Sequence, residues 1–503
     1  MKKIFLLLAC VLMISFCKAT VWHVGATQTY TLPSQIKNLV HNGDTIYIDG
    51  GIYANDATKW INKNLKFIGL GTGTNRTVLQ YIGDIPNGKG IFVFENPSLG
   101  DNPYLENIVF DGAQVSDANG GNGAGIRFQA NNLTVNNCKF MNCQNGILEG
   151  NTSVTGSNVV ILNSEFENNG YQLPNSSDFS GYEHHIYISA STDTLLVTNC
   201  WFHHPRGQAN SLKTRAQRSF ILYNLIDEEA TGYGSWELNI AQGGLNIIIG
   251  NIIIQGPAGA NHGIVGYDAA INALEDFYFV NNTVINQYVG IIEYFNIVPS
   301  SGINTFKIYN NIFASVVGAT KKMFTGNTPA VLDTSNNLDA SNYLTVGFKN
   351  PAVDDFSLTA TALAAIDKGT DAGTTNTSYS LTPVNMYLSS DSSLLPRSII
   401  GGVIDLGAYE YAGSSGIAAC QTKTNISIYP NPSNGEFTLK KIYGQWKNVN
   451  IEIYNLIGEK VYYNSKFSSQ TSNNIDLSNS PKGIYFVKIY NGKEIQTGKI
   501  VIQ

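Results

Sequence analysis

Short apolar runs recur along the chain, each closed by Asn or a similar turn residue and then by an aromatic or aliphatic anchor. The segments LENIVF, LTVNNCKF, VVILNSEF, LLVTNCWF, FILYNLI, NIIIGNIII, FYFVNNTVI and FKIYNNIF place these anchors at Phe110, Phe140, Phe166, Phe202, Ile226, Ile253, Val284 and Phe313. Anchors are 24 to 36 residues apart, so each unit holds two or three strands too short to form a sheet alone. Such units bury their apolar faces only by stacking on their neighbours. Asn suits the bends because it tolerates left-handed backbone and can hydrogen-bond the coil above or below. The pattern predicts an all-β chain whose main body is a right-handed parallel β-helix.

Polar residues break into this pattern at one phase between Gly181 and Asn239. Aligning HIYIS, SLKTR and SWELN puts His185, Ser211 and Ser235 in one column, Tyr187, Lys213 and Glu237 in the next, and Ser189, Arg215 and Asn239 in a third. Strand side chains alternate with period two, so these columns are expected on the outer face, with Ile186 and Ile188, Leu212 and Thr214, and Trp236 and Leu238 turned inward. The unit from Phe166 to Phe202 is the longest and carries the insertion ENNGYQLPNSSDFSGYE, which runs into His184 and His185. Long excursions from a rigid repeat are common mounting points for binding groups.

The last segment changes character. NISIYPNPSNGEFTL, VNIEIYNLIGEKVYY and SPKGIYFVKIYNGKEIQTGKIVIQ alternate apolar and polar residues between Asn, Gly and Pro turns, which predicts a small β-sandwich. These motifs closely resemble the C-terminal sorting domain of type IX secretion substrates in Bacteroidetes. The resemblance implies export by the type IX machinery, followed by surface attachment or release. Earlier, NGDTIYIDGGIY and NLKFIGLG resemble the opening coils of right-handed β-helix proteins, and IDLGAYEY at Ile404–Tyr411 resembles the close of many exported ones. The expected organisation is a signal peptide at 1–19, a β-helix at 20–412, a linker at 413–422 and a sorting sandwich at 423–503.

Composition narrows the functional classes. Among 503 residues only 14% are charged, Gly numbers 49, and the formal net charge is −6. An acidic balance argues against a nucleic-acid binder. Lys2, Lys3 and the apolar run Ile4–Phe16 form a secretory signal too short for a membrane span. Bulky Phe16 before Cys17 disfavours a lipid anchor there. An exported, monomeric chain without a transmembrane helix is expected. Cys138 and Cys200 fall at one phase two layers apart, beyond disulfide reach, and are expected to fill the core.

The candidate chemistry clusters after the insertion. His184, His185, His203 and His204 are followed by Arg206, Lys213, Arg215 and Arg218, a local cationic patch suited to carboxylates or sulfates. The strands His185-Ile186-Tyr187, Leu212-Lys213-Thr214-Arg215-Ala216 and Ser235-Trp236-Glu237-Leu238, with Gly243-Gly244, resemble a group of exported β-helix proteins. That likeness names no reaction. β-Helix enzymes acting on acidic polysaccharides often work by β-elimination, which needs a cation for the uronate carboxylate and a base for its α-proton. The expected catalytic set is Arg215 for the carboxylate, Lys213 or His185 as base, Tyr187 at the leaving group and Glu237 orienting Lys213. His184, His203, His204, Arg206, Arg218, Tyr233 and Asn239 are expected to bind substrate, an acidic polysaccharide. Hydrolysis ranks lower, because Asp227, Glu228, Glu229 and Asp268 form no paired column with Glu237. No cofactor or metal is expected, although calcium could draw on Asp178, Glu183, Asp193 or Asp227. The rival reading is a non-catalytic adhesin or glycan-binding scaffold.

Overall fold

The computed structural model of the protein describes residues 19–95, 101–129, 132–150, 155–170, 182–268, 272–298, 302–389, 393–413, 426–441, 449–456, 458–467, 472–490 and 495–503. The chain divides into two compact units, residues 1–370 with 383–411, and residues 371–382 with 412–503. In the first unit three long parallel sheets wrap one core. A first sheet has 12 strands, a second 11 and a third 10, and successive strands of each come from successive coils. This is a parallel β-helix. We call the 11-stranded sheet the anchor sheet and the 10-stranded one the site sheet.

All eight sequence anchors fall into one register on the anchor sheet, from Phe110 through Phe140, Phe166, Phe202, Ile226, Ile253 and Val284 to Phe313. The four leading phenylalanines stack nearly flat, with centroids 5.0, 4.9 and 4.8 Å apart. Those separations match the inter-strand spacing, so the ladder follows directly from aligned coils. At the bend before this sheet, Asn107, Asn137, Asn163, Asn199, Asn281, Asn310 and Asn336 all have positive φ. The next residue turns inward, and there Asn224, Asn251, Asn282, Asn311 and Asn337 pass side-chain hydrogen bonds from coil to coil at 2.9–3.1 Å. Cys138 and Cys200 occupy this inward position on either side of Ser164, and both are buried free thiols.

The coils end at Leu338–Ala340. Within the same unit, Phe348, Phe356, Leu358 and Leu406 then cover Ile252, Ile254, Ile285 and Ile312 on the outside of the anchor sheet. The second unit holds a three-stranded and a four-stranded antiparallel sheet. They enclose one core of Phe437, Leu439, Ile451, Ile453, Val487 and Ile500, a small β-sandwich.

Candidate functional site

Three site-sheet strands build the site: His184–Ile188, Asn210–Thr214 and Trp236–Ile240. Their register corrects the sequence alignment. Tyr187 pairs with Lys213, but Lys213 pairs with Asn239, not Glu237. Matching the serines of SLKTR and SWELN slips the third strand by two residues; the apolar pair Leu212 and Leu238 sets the true alignment.

A second correction concerns which way the side chains point. The strand bends at its start, so two consecutive residues face the interior. Both His185 and Ile186 are wholly buried, and the His185 ring lies 6.4 and 6.1 Å from those of Phe166 and Phe202. In the two preceding coils this column holds Gly146 and then Gly125, where a Cβ would run into the phenylalanine ladder. His185, Ser211 and Glu237 therefore form an internal polar column, away from the outer face. His185 cannot serve there as the base, nor can Glu237 orient Lys213.

The interior column has its own electrostatics. Asn169 donates to Nδ1 of His185 at 2.9 Å, and burial, then His203 and His204, hold the imidazole pKa well below its usual value. Both carboxylate oxygens of Glu237 lack a hydrogen-bond partner among the described residues. Burial, then the charges of Glu228 and Asp227, push its pKa well above the carboxylate range. Burial likewise raises Glu228 to about 8 and Asp227 to about 7.

The outer face keeps a smaller set. Tyr187 accepts a hydrogen bond on Oη from Nη1 of Arg215 at 2.5 Å. The Arg215 guanidinium and the Lys213 ammonium lie 5.4 and 5.8 Å from the Tyr187 ring centre. The His184 ring stacks with that of Tyr187 at 5.7 Å and accepts from the Asn210 side chain at 3.1 Å. Burial, then Lys213 and Arg215, keep His184 neutral. Burial, then Arg215, lowers the pKa of Lys213, while burial raises that of Tyr187. A lysine of lowered pKa thus sits beside a tyrosine of raised pKa. The Nε of Arg215 is buried and has no hydrogen-bond partner among the described residues.

Other expected residues lie elsewhere. His203 is on the outer side of the anchor sheet, hydrogen-bonded to Glu165 at 3.1 Å and Glu229 at 2.9 Å. Burial alone would lower its pKa, but those carboxylates carry it up to about 9. His204 also pairs with Glu229, at 3.1 Å. Glu165, Glu167 and His203 cluster as metal ligands could, yet Lys139 fills that position with contacts of 2.9 and 2.5 Å. Arg218 pairs with Asp193 at 2.8 Å, Arg206 stands in the turn before Asn210, and Tyr233 is exposed in the loop before Trp236. These placements break up the expected cationic patch. Of the residues that calcium could draw on, Asp193 and Asp227 are on different sheets, and Asp178 with most of the insertion lies outside the described residues.

The alignment also missed Arg127. It precedes Tyr187 in the outward column, with Leu148 between them, and is half-buried with an unpartnered Nε. Its signal was Gly-Ile-Arg at 125–127, the same inward-inward-outward triplet as His-Ile-Tyr.

Residues 427–503 match the family model described as a secretion system C-terminal sorting domain. The tail is a type IX sorting domain. The protein is accordingly secreted or held at the cell surface, with the secretion machinery as a partner. No helix among the described residues is long and apolar enough to cross a membrane. No match was found among curated proteins. Among solved structures the chain is similar to an alginate lyase of the PL6 family, AlyGC, at 13% identity and a TM-score of 0.35. That match covers 64% of this chain and 40% of the lyase.

Proposed function

We propose that the outer face carrying Tyr187, Lys213 and Arg215 binds a uronate-containing polysaccharide and cleaves it by β-elimination. The supporting observation is the juxtaposition, on adjacent coils, of a lysine of lowered pKa, a tyrosine of raised pKa and an arginine that donates to that tyrosine. Arg215 holds the uronate carboxylate and stabilises the charge that develops on it. Neutral Lys213 takes the proton α to that carboxylate. The released electron pair forms the ring double bond as the glycosidic C–O bond breaks, and Tyr187 gives its proton to the departing oxygen. Arg215, already donating to Tyr187 Oη, stabilises the phenolate left behind. Solvent then restores both groups.

Incubating the mature protein with a panel of uronate polymers tests this reading. Elimination gives a chain end with the ultraviolet absorbance of an unsaturated uronate. Binding with neither that absorbance nor new reducing ends would assign the face to a non-catalytic scaffold. New reducing ends without absorbance would assign it to a hydrolase.

A further inference from the structure

Period-two alternation places Trp236 beside Leu238 in the core, but two inward residues in a row, Glu237 and Leu238, set it on the outer face, half-exposed. Its ring does not stay over its own coil. It lies across the next one, at Gly263 and Gly266. A Cβ at Gly263 would strike the indole, and one at Gly266 would press on it at 3.3 Å. Neither glycine lies in the left-handed region, so the backbone there would accept any residue. What asks for glycine is room for the ring. One face of the indole is thus seated on the sheet, and the other is turned away from it.

That seat is in line with the proposed site. Tyr187, Lys213, Asn239 and Gly266 follow one another in a single outward column on four successive coils. The indole over Gly266 is therefore two coils from Lys213, roughly 10 Å by strand spacing. Asn239 fills the layer between. It is half-buried, and its amide has no hydrogen-bond partner among the described residues, so donors and an acceptor stay open to hydroxyl groups. In the coil beyond the indole, Glu293 faces Lys322 across the ladder and accepts from Thr325 at 2.9 Å and Asn296 at 3.4 Å. That carboxylate is compensated, and the ring itself suits the apolar face of a sugar.

We infer that Trp236 is a stacking subsite for a pyranose ring two residues along the polymer from the uronate held at Tyr187–Lys213–Arg215, and that Asn239 binds hydroxyls of the residue between. A pyranose in an extended chain advances by about one strand spacing, roughly 5 Å, so sugars and coils keep step along the column. The inference rests on the proposed elimination site and adds where the polymer runs and how long it must be. Any pyranose can stack on the ring, so its contribution follows chain length and not the charge of the sugar.

The test uses the mature full chain with size-graded oligomers of polygalacturonate and of hyaluronan. Unsaturated product gives kcat and KM, and calorimetry gives affinity. In wild type the oligomer long enough to reach the indole should show kcat/KM about three- to tenfold above the next shorter one, with the gain residing in KM. That step should vanish in Trp236→Ala, return for the most part in Trp236→Phe, and shrink in Gly263→Ala, which keeps the indole but tips it from its seat. Asn239→Ala should raise KM about three- to tenfold. A wild-type rate that does not climb with length, or a step kept in full by Trp236→Ala, overturns the inference and leaves elimination intact. An affinity step that depends on Trp236, with no unsaturated product from any oligomer, keeps the subsite and overturns elimination. Affinity for neither series overturns both. Trp236→Phe retains a ring and Gly263→Ala retains the indole, so misfolding of Trp236→Ala cannot mask the result.

Discussion

Replacing Glu237 by glutamine should make the protein more stable, by a margin that widens as pH rises. The wild-type carboxyl is wholly buried, both its oxygens lack partners, and burial together with Glu228 and Asp227 raises its folded pKa well above the unfolded value. The folded chain thus keeps a proton that the unfolded chain releases. Stability contributed by that proton is complete below the unfolded pKa, about 4.3, and is lost as pH rises toward the folded one, at about 1.4 kcal/mol per unit. Glutamine does not titrate, so the variant should match wild type near pH 4 and gain about 1.4 kcal/mol on it with each further unit. Glu237→Met also removes the unpartnered atoms and should add about 1–3 kcal/mol at every pH. Denaturant unfolding followed by fluorescence between about pH 5 and pH 8 reads both effects. A pH-independent offset, or a glutamine variant that weakens as pH rises, would show Glu237 ionised and paired in the fold, and the inward column would be wrong.

Three further outcomes follow. Phe166→Ala removes the middle of the ladder, between rings at 4.9 and 4.8 Å, and should cost about 3–5 kcal/mol in unfolding experiments. His203, with its folded pKa raised to about 9, contributes stability that is complete below about pH 6.5 and is lost as pH rises through 9; His203→Gln should destabilise at pH 6 and match wild type near pH 10 in thermal scans. Tyr187→Phe should lower kcat on a cleaved polymer about a hundredfold or more while changing KM little.

How far the sequence carried the argument depended on what set each residue's position. The anchors were legible because a buried aromatic every coil can only be satisfied by stacking, and all eight share a register. The small β-sandwich of the tail was legible from its turns and alternation, and its sorting role from the resemblance that the family match bears out. The site was legible only in part. Period-two alternation predicts His185 and Glu237 beside Tyr187 and Lys213, but the bend turns two successive residues inward and reverses the phase of the first column. His203 and Arg218 are near Lys213 in sequence yet sit on other sheets, because one coil passes through all three. Arg127 is distant in sequence yet shares the column, for the same reason. Nothing in the pattern announced that Phe348, Phe356, Leu358 and Leu406 fold back over the anchor sheet, since they serve an outer surface that coil periodicity does not describe.

The most direct test of the central claim is the ultraviolet assay on uronate polymers with wild type, Lys213→Ala and Arg215→Ala in parallel. The account predicts unsaturated product from wild type, and a loss of about a hundredfold or more in each variant, with the fold unchanged by circular dichroism. Full activity in both variants on every polymer that wild type cleaves would contradict it.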